Sequence, residues 1–154
     1  MKALYWMNGV WRGPAWTILP NGEKRSVTQT ERIGPFLGGT IKVVEGRGYR
    51  ESGEVGFNAF GIISYEPDRK AYHFRSYAQG RAGDFNFTVR PDGYTWEIPV
   101  QNVTIRYTAT FKGDTLTEVG DRIVQGREPM RFFEMNLKRV GDTDWPTGTP
   151  VPPK

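Results

Sequence analysis

The sequence predicts an all-β fold, a single antiparallel up-and-down β-barrel of about ten strands. Glycine at 19 residues, proline at 11 and aromatic residues at 14% of the 154-residue chain are typical of many short strands joined by tight turns. Turn signals recur at nearly even spacing between runs that alternate apolar and polar residues. No stretch has the periodicity of a long helix, and a chain of this length forms one domain with one core.

The turn signals divide the chain into its strands. They are Asn21-Gly22, Pro67-Asp68, Asp92-Gly93 and Gly113-Asp114, all dipeptides that favour hairpin turns. Between them we predict strands near residues 10–19, 24–33, 39–50, 54–66, 70–79, 83–90, 93–99, 103–112, 115–124 and 130–140. Because every connection is short, without a long Greek-key crossover, a closed barrel is favoured over a sandwich.

The two ends of the chain differ from the strand region. Residues 1–8 predict a short apolar turn or helix that plugs one end of the barrel. The barrel domain is expected to span residues 1–140. Residues 141–154 contain four prolines and predict a C-terminal tail that is either a surface strap or a disordered end.

Two-residue hairpin turns fix which side chains share a face of the sheet. Around Asp92-Gly93 this rule places inside the barrel Phe85, Phe87, Val89, Tyr94, Trp96 and Ile98. Around Gly113-Asp114 it places inside Ile105, Tyr107, Ala109, Phe111, Leu116, Glu118, Gly120 and Arg122. Around Asn21-Gly22 it places inside Trp16, Ile18, Val27, Gln29, Glu31 and Ile33, and the apolar parity of the third strand adds Ile41, Val43, Glu45, Arg47 and Tyr49.

The predicted interior is aromatic and aliphatic with a few charged groups. An unpartnered buried charge costs several kcal/mol, so these groups are paired, wet or bound to something. Three interpretations stay open: an internal salt-bridge network, strand ends that reach solvent at the mouth, and a wet cavity whose charges orient a ligand's polar head. The candidate ligand-binding residues are Glu31, Glu45, Tyr49, Phe57, Tyr72, Phe74, Trp96, Tyr107, Glu118 and Arg122.

His73 is the only histidine of the chain, and its orientation decides one catalytic hypothesis. If Tyr72 and Phe74 point inward, then His73 and Arg75 point outward, and we favour this orientation. A one-residue slip would reverse it. An inward His73 would be a candidate general base. The sequence contains no nucleophile elbow, no phosphate-binding glycine loop and no spaced metal-ligand set, so no catalytic or metal residue is assigned.

Charge and composition limit the classes of partner that the protein is expected to bind. The net charge of +4 is spread along the chain, which gives nucleic-acid or membrane-surface binding little support. No apolar run approaches the roughly 18 residues of a membrane span. We expect a soluble protein, cytoplasmic or, if a signal peptide was removed, periplasmic. The absence of cysteine excludes disulfides and thiolate sites, and a homodimer is left open.

The opening segment carries a family resemblance. Gly9-Val10-Trp11 within Leu4–Gly13 resembles the start of lipocalin-like bacterial proteins of the calycin superfamily, and residues 31–39 and 61–68 resemble segments of an uncharacterised family in that group. The resemblance implies a lipocalin-like barrel in which Trp11 seals the base. It also implies that a basic residue of the last strand, here Arg139, stacks across Trp11. No activity follows from it.

Nitrobindins, which bind haem, resemble the chain more distantly through the same Gly-x-Trp-x-Gly opening. Their iron ligand is a histidine near the C-terminal end of the barrel, and this chain has no histidine after His73. We therefore expect no haem and no other cofactor.

Two functions lead the predictions from the sequence, and a third, a structural or interaction module, would be favoured by a large exposed apolar patch and no pocket. The first is a binding protein that holds a small hydrophobic or amphipathic molecule, whose polar end is oriented by interior charges such as Glu31, Glu45, Glu118 or Arg122. The second is a cofactor-independent isomerase, cyclase or lyase that uses a cavity carboxylate or His73 as general base.

Overall fold

The computed structural model describes residues 1–153 and consists of ten antiparallel strands closed into one barrel. They are β1 (Gly9–Ile18), β2 (Lys24–Phe36), β3 (Ile41–Tyr49), β4 (Val55–Glu66), β5 (Ala71–Ala78), β6 (Arg81–Arg90), β7 (Gly93–Val100), β8 (Val103–Lys112), β9 (Thr115–Val124) and β10 (Met130–Gly141). Each strand pairs with its successor, and β10 pairs with β1. The predicted all-β class and up-and-down barrel are confirmed.

One end of the barrel is closed by the N-terminal segment. Lys2–Met7 form a 3₁₀ helix in which Leu4 and Met7 are fully buried and join the core around Trp11. The turns 37–40, 67–70, 91–92 and 113–114 lie at this closed end, because the strands alternate in direction. The other five connections, near residues 19–23, 50–54, 79–80, 101–102 and 125–129, lie at the opposite end, which we call the open end.

Two of the three hairpin predictions place the interior side chains correctly. Across the Gly113-Asp114 turn, Phe111 pairs with Leu116 and Ala109 pairs with Glu118, as predicted. The neighbouring hairpin turns at Pro91-Asp92 instead of Asp92-Gly93, so its register moves by two residues. A two-residue shift leaves every side chain on its face, because side chains alternate with a period of two.

The prediction that Trp16 and Ile18 face inward is wrong. The β1–β2 connection is a three-residue loop, Pro20 to Gly22. The residues that flank it pair with each other, because Leu19 N–H donates to the Glu23 carbonyl at 2.9 Å. Gly22 has a φ of 84°, the conformation that closes such loops. The extra residue pairs Ala15 with Val27, which shifts β1 by one residue and turns Trp16 to the outer wall.

The orientation of β3 is also corrected. Gly46 pairs with Glu31 and Val44 pairs with Ile33, so the inward side chains are those of Lys42 and Val44. The residues predicted to face inward lie on the outer wall instead: Ile41, Val43, Glu45, Arg47 and Tyr49. The prediction assumed that the apolar side chains of β3 face the interior. It is wrong because Val43 is buried on the outer wall instead, where the C-terminal tail lies over it.

The C-terminal tail forms a strap across the outer wall. The Trp145 ring packs edge-on against Phe36 and Phe60, at centroid distances of 6.2 and 6.3 Å. The Arg32 guanidinium lies 4.2 Å from the centre of the Trp145 ring and binds Asp144 at 3.1 Å. A Cβ at Gly34 would come within 2.3 Å of Thr143 Oγ1, so this glycine leaves the space in which the strap lies.

Candidate functional site

The barrel encloses a cavity of about 670 Å³. Its lower wall is formed by core residues such as Ala15, Ile33 and Leu116, and it extends toward the open end, where the exposed Arg25 and Arg81 line it. A volume of this size is within the range of small-molecule sites. The 3₁₀ helix closes the barrel below, so a ligand would reach the cavity through the open end.

Aromatic rings form much of the cavity wall. Trp96 and Tyr107 stack face to face, with centroids 4.4 Å apart and an interplanar angle of 11°. The Phe74 and Phe85 rings also pack against the Trp96 ring, with centroid distances of 5.0 and 5.3 Å. The register explains this cluster, because Trp96 pairs with Tyr107 on one side and with Phe87 on the other, all pointing inward.

Glu31 projects from β2 into the barrel and is buried. Gln29 Nε2 donates to Glu31 Oε1 at 2.7 Å. Opposite it, a Cβ at Gly46 would come within 2.7 Å of Glu31 Oε1, so the glycine makes room for the carboxyl group. Burial raises the pKa of Glu31 from 4.5 to about 8; the hydrogen bond from Gln29 opposes this rise, and the charges of Glu118 and Glu45 add to it.

Glu118 projects from β9 into the same cavity and is also buried. Tyr94 Oη donates to Glu118 Oε2 at 2.6 Å, reaching past the small Ala109 that pairs with both residues. Burial raises the pKa of Glu118 to about 7, and the hydrogen bond from Tyr94 opposes this rise. Burial and the charge of Glu118 also raise the pKa of Tyr107, to about 12.

Neither buried carboxyl group has a basic partner. Among residues 1–153, every ion pair of a lysine, arginine or histidine involves other acidic residues. The buried Lys42 faces inward from β3, but its Nζ donates to Asn8 Oδ1 near the closed end. Burial lowers the pKa of Lys42 to about 8. The hypothesis of an internal salt-bridge network therefore does not describe Glu31 and Glu118.

The ten candidate residues predicted from the sequence fall into three groups. Six line the cavity: Glu31, Phe57, Phe74, Trp96, Tyr107 and Glu118. Two face inward but do not line the cavity. Tyr72 packs against Phe87, and Arg122 pairs with Ile105 near the open end. Glu45 and Tyr49 lie on the outer wall, where Glu45 binds Arg32 at 2.6 Å and Arg47 at 2.9 Å.

Gln29 and Tyr94 are functional candidates that the sequence prediction did not nominate. The hairpin register predicts that both side chains face inward, but their role as donors to the two carboxyl groups depends on how far each side chain reaches. The spacing Gln29-x-Glu31 was a usable signal, because residues two apart in a strand point to the same face. The Tyr94–Glu118 bond spans two strand pairings and has no local signal.

His73 lies on the outer wall, in the orientation that we favoured. It pairs with Ser64, and its Nε2 lies 3.3 Å from Glu66 Oε1. Because His73 is the only histidine of the chain, the cavity contains no imidazole that could act as a base or an iron ligand. Within residues 1–153, no group of three or more potential metal-ligating His, Cys, Asp or Glu side chains occurs.

The three residues predicted to be structural meet at the closed end. Trp11 pairs with Arg139, and its Nε1 donates to the Met7 carbonyl at 3.2 Å, which ties the 3₁₀ helix to β1. A Cβ at Gly9 would come within 3.0 Å of Arg139 Nε. The Arg139 guanidinium binds Asp142 at 2.7 Å; the cation–π pairs within residues 1–153 involve other residues, so the predicted stacking on Trp11 is not found.

Fold and site together define a ten-stranded up-and-down barrel with one plugged end and an acidic, aromatic cavity. The crystal structure of Rv2717c from M. tuberculosis is similar to this chain, with a TM-score of 0.66 and 13% sequence identity over 90% of this chain and 95% of that one. At this identity the likeness shows the fold alone. No protein-family model and no curated protein matches the sequence. Within residues 1–153, no helix is long and apolar enough to cross a membrane.

Proposed function

We propose that this protein binds a small apolar or amphipathic molecule inside the barrel, with Glu31 and Glu118 holding its polar end. The supporting observation is a cavity of about 670 Å³ that combines an aromatic wall with two buried carboxyl groups. Burial of apolar surface against the aromatic rings would supply affinity, and the carboxyl groups would supply orientation. Native mass spectrometry of protein purified from its own host would identify the mass of a bound molecule.

Filling the cavity is expected to weaken binding. Ala59 lines the cavity, so Ala59→Trp projects an indole into the space that the ligand would occupy. We expect the fluorescence-measured affinity for the neutral dye Nile red to fall by at least ~10-fold, equivalent to ~1.4 kcal/mol. Ala71 faces the outer wall opposite Glu66, so Ala71→Trp is the matched control and should leave the affinity unchanged. Equal affinities for both variants would contradict binding inside the barrel.

A second candidate function is catalysis by a cavity carboxylate, an isomerase, cyclase or lyase reaction on an enclosed ring or carbonyl compound. One observation favours it: burial raises the pKa of Glu118 to about 7, near the value that suits a general base at neutral pH. The outer-wall position of His73 leaves Glu118 and Glu31 as the candidate bases.

Substitution of Glu118 tests this second function. If a compound is turned over, Glu118→Gln should lower kcat by ~10²–10⁴-fold, because the amide keeps the contact with Tyr94 but cannot accept the proton. His73→Ala changes a residue of the outer wall and should keep the activity of the unaltered protein. Equal turnover in both variants would end the hypothesis that Glu118 is the base.

We also propose that the barrel is of the calycin type. The pairing of Trp11 with Arg139, the plugged end beside Gly9 and the up-and-down order of strands support this assignment. This assignment concerns the architecture of the barrel alone and does not identify a ligand.

A further inference from the structure

We infer that the polar end of the ligand is a protonated amine, held between Glu31 and Glu118. The inference rests on the proposed binding function and specifies the chemical class of its ligand. Two carboxyl groups face one cavity, and no lysine or arginine within residues 1–153 pairs with either of them. A ligand ammonium group would supply the missing positive charge.

The existing hydrogen bonds prepare both groups to act as acceptors. Glu31 receives an N–H from Gln29, and Glu118 receives an O–H from Tyr94. Both protein partners donate, which is the arrangement that stabilises a carboxylate over a neutral acid. Each carboxylate keeps lone pairs that can accept from further donors, and an ammonium group offers three N–H donors.

The cavity surroundings disfavour an anionic end at this depth. Besides Glu31 and Glu118, the inward faces of the surrounding strands carry five basic side chains: Arg25 on β2, Lys42 on β3, Arg81 on β6, Arg122 on β9 and Arg139 on β10. The three arginines on β2, β6 and β9 lie toward the open end; Lys42 binds Asn8, and Arg139 binds Asp142 near the closed end. A carboxylate ligand placed beside Glu31 and Glu118 would be desolvated without a cation and would face like charges.

The aromatic wall supports the same ligand class. The stacked Trp96 and Tyr107 rings line the same cavity as Glu118. Tyr107 is close enough to Glu118 for the carboxylate charge to help raise the pKa of the phenol. An ammonium group near the face of an indole or phenol ring gains a cation–π contact of ~0.5–2 kcal/mol. The rest of an arylalkylamine would pack against the phenylalanine rings of the same wall.

Binding of an amine should release protons at slightly acid pH. Burial raises the pKa of Glu31 to about 8 and that of Glu118 to about 7, so both groups are largely protonated at pH 6 and must lose a proton to pair with an ammonium group. Affinity for an amine should therefore rise between pH 6 and pH 8.5. A neutral alcohol of the same shape should show no such rise.

Three probes with one naphthalene body test the inference by isothermal titration calorimetry at pH 8: 2-naphthylmethylamine, 2-naphthalenemethanol and 2-naphthoate. We expect the amine to bind at least ~10-fold more tightly than the alcohol, and the alcohol more tightly than the carboxylate. The E31Q/E118Q double variant should bring amine and alcohol within ~2-fold of each other. Glu134 lies on the outer wall opposite Trp16, so Glu134→Gln is the matched control and should keep the preference.

The outcomes separate this inference from the proposed function. Equal affinity for amine and alcohol, tightest binding of the carboxylate, or a preference that survives E31Q/E118Q overturns the amine assignment. So does failure of all three probes to bind while Nile red still enters the cavity, and in each of these cases the binding function stands. If the naphthyl probes do not bind and Ala59→Trp leaves Nile red binding unchanged, both are overturned.

Discussion

Replacement of Trp11 by alanine is expected to lower the free energy of unfolding by about 3–5 kcal/mol, the usual cost of removing a large buried aromatic side chain. Only 1% of Trp11 is exposed, and its ring packs edge-on against Phe111 at 5.4 Å. The substitution also removes the donor to the Met7 carbonyl, which loosens the helix that plugs the closed end. Urea unfolding followed by far-UV circular dichroism measures the change.

Trp16 provides the matched control on the same strand. It lies five residues further along β1 on the outer wall, where its ring contacts the Lys24 ammonium at 4.7 Å. We expect Trp16→Ala to cost about 1 kcal/mol or less, as for a surface aromatic with one cation–π contact. If Trp16→Ala costs more than Trp11→Ala, the β1 register is the one that a two-residue Asn21-Gly22 turn would give.

These two tryptophans show how far the sequence determines the fold. The even spacing of turn dipeptides predicts the number of strands and their order, because each hairpin is a local event. It does not determine whether a loop has two or three residues. At Asn21-Gly22 the difference of one residue exchanges the faces of Trp11 and Trp16, although the resemblance in the opening segment already placed Trp11 inside.

The candidate site could be predicted only where local pairing controls it. The sequence predicts the inward position of Glu118 correctly because Gly113-Asp114 forms the predicted two-residue turn, which pairs Glu118 with Ala109. The prediction for Glu45 is wrong for two reasons. The β2–β3 connection is a 3₁₀ turn, which has no two-residue hairpin register, and the outward side chains of β3 are partly apolar because the C-terminal strap with Trp145 covers them. A contact between such distant segments leaves no periodic signal in either of them.

Replacement of Glu31 by glutamine is expected to stabilise the protein at pH 8 by about 2–4 kcal/mol and to have little effect near pH 4.5. Burial raises the folded-state pKa of Glu31 from 4.5 to about 8. Between these values the unfolded chain loses its proton while the folded protein keeps it. The unfolded state therefore binds fewer protons, and stability falls as pH rises through this interval.

The glutamine variant removes that pH dependence because it cannot ionise. Gln29 can turn its amide to accept from the new side chain, which keeps the buried pair hydrogen-bonded at either pH. Urea unfolding at pH 4.5, 6 and 8 should give a free-energy difference between variant and unaltered protein that grows with pH. Glu134→Gln, on the outer wall, should show no such growth. A Glu31→Gln variant that is less stable at pH 8 would mean that Glu31 is ionised and stabilised in the folded barrel, so that its carboxylate already has the positive partner that we assign to the ligand.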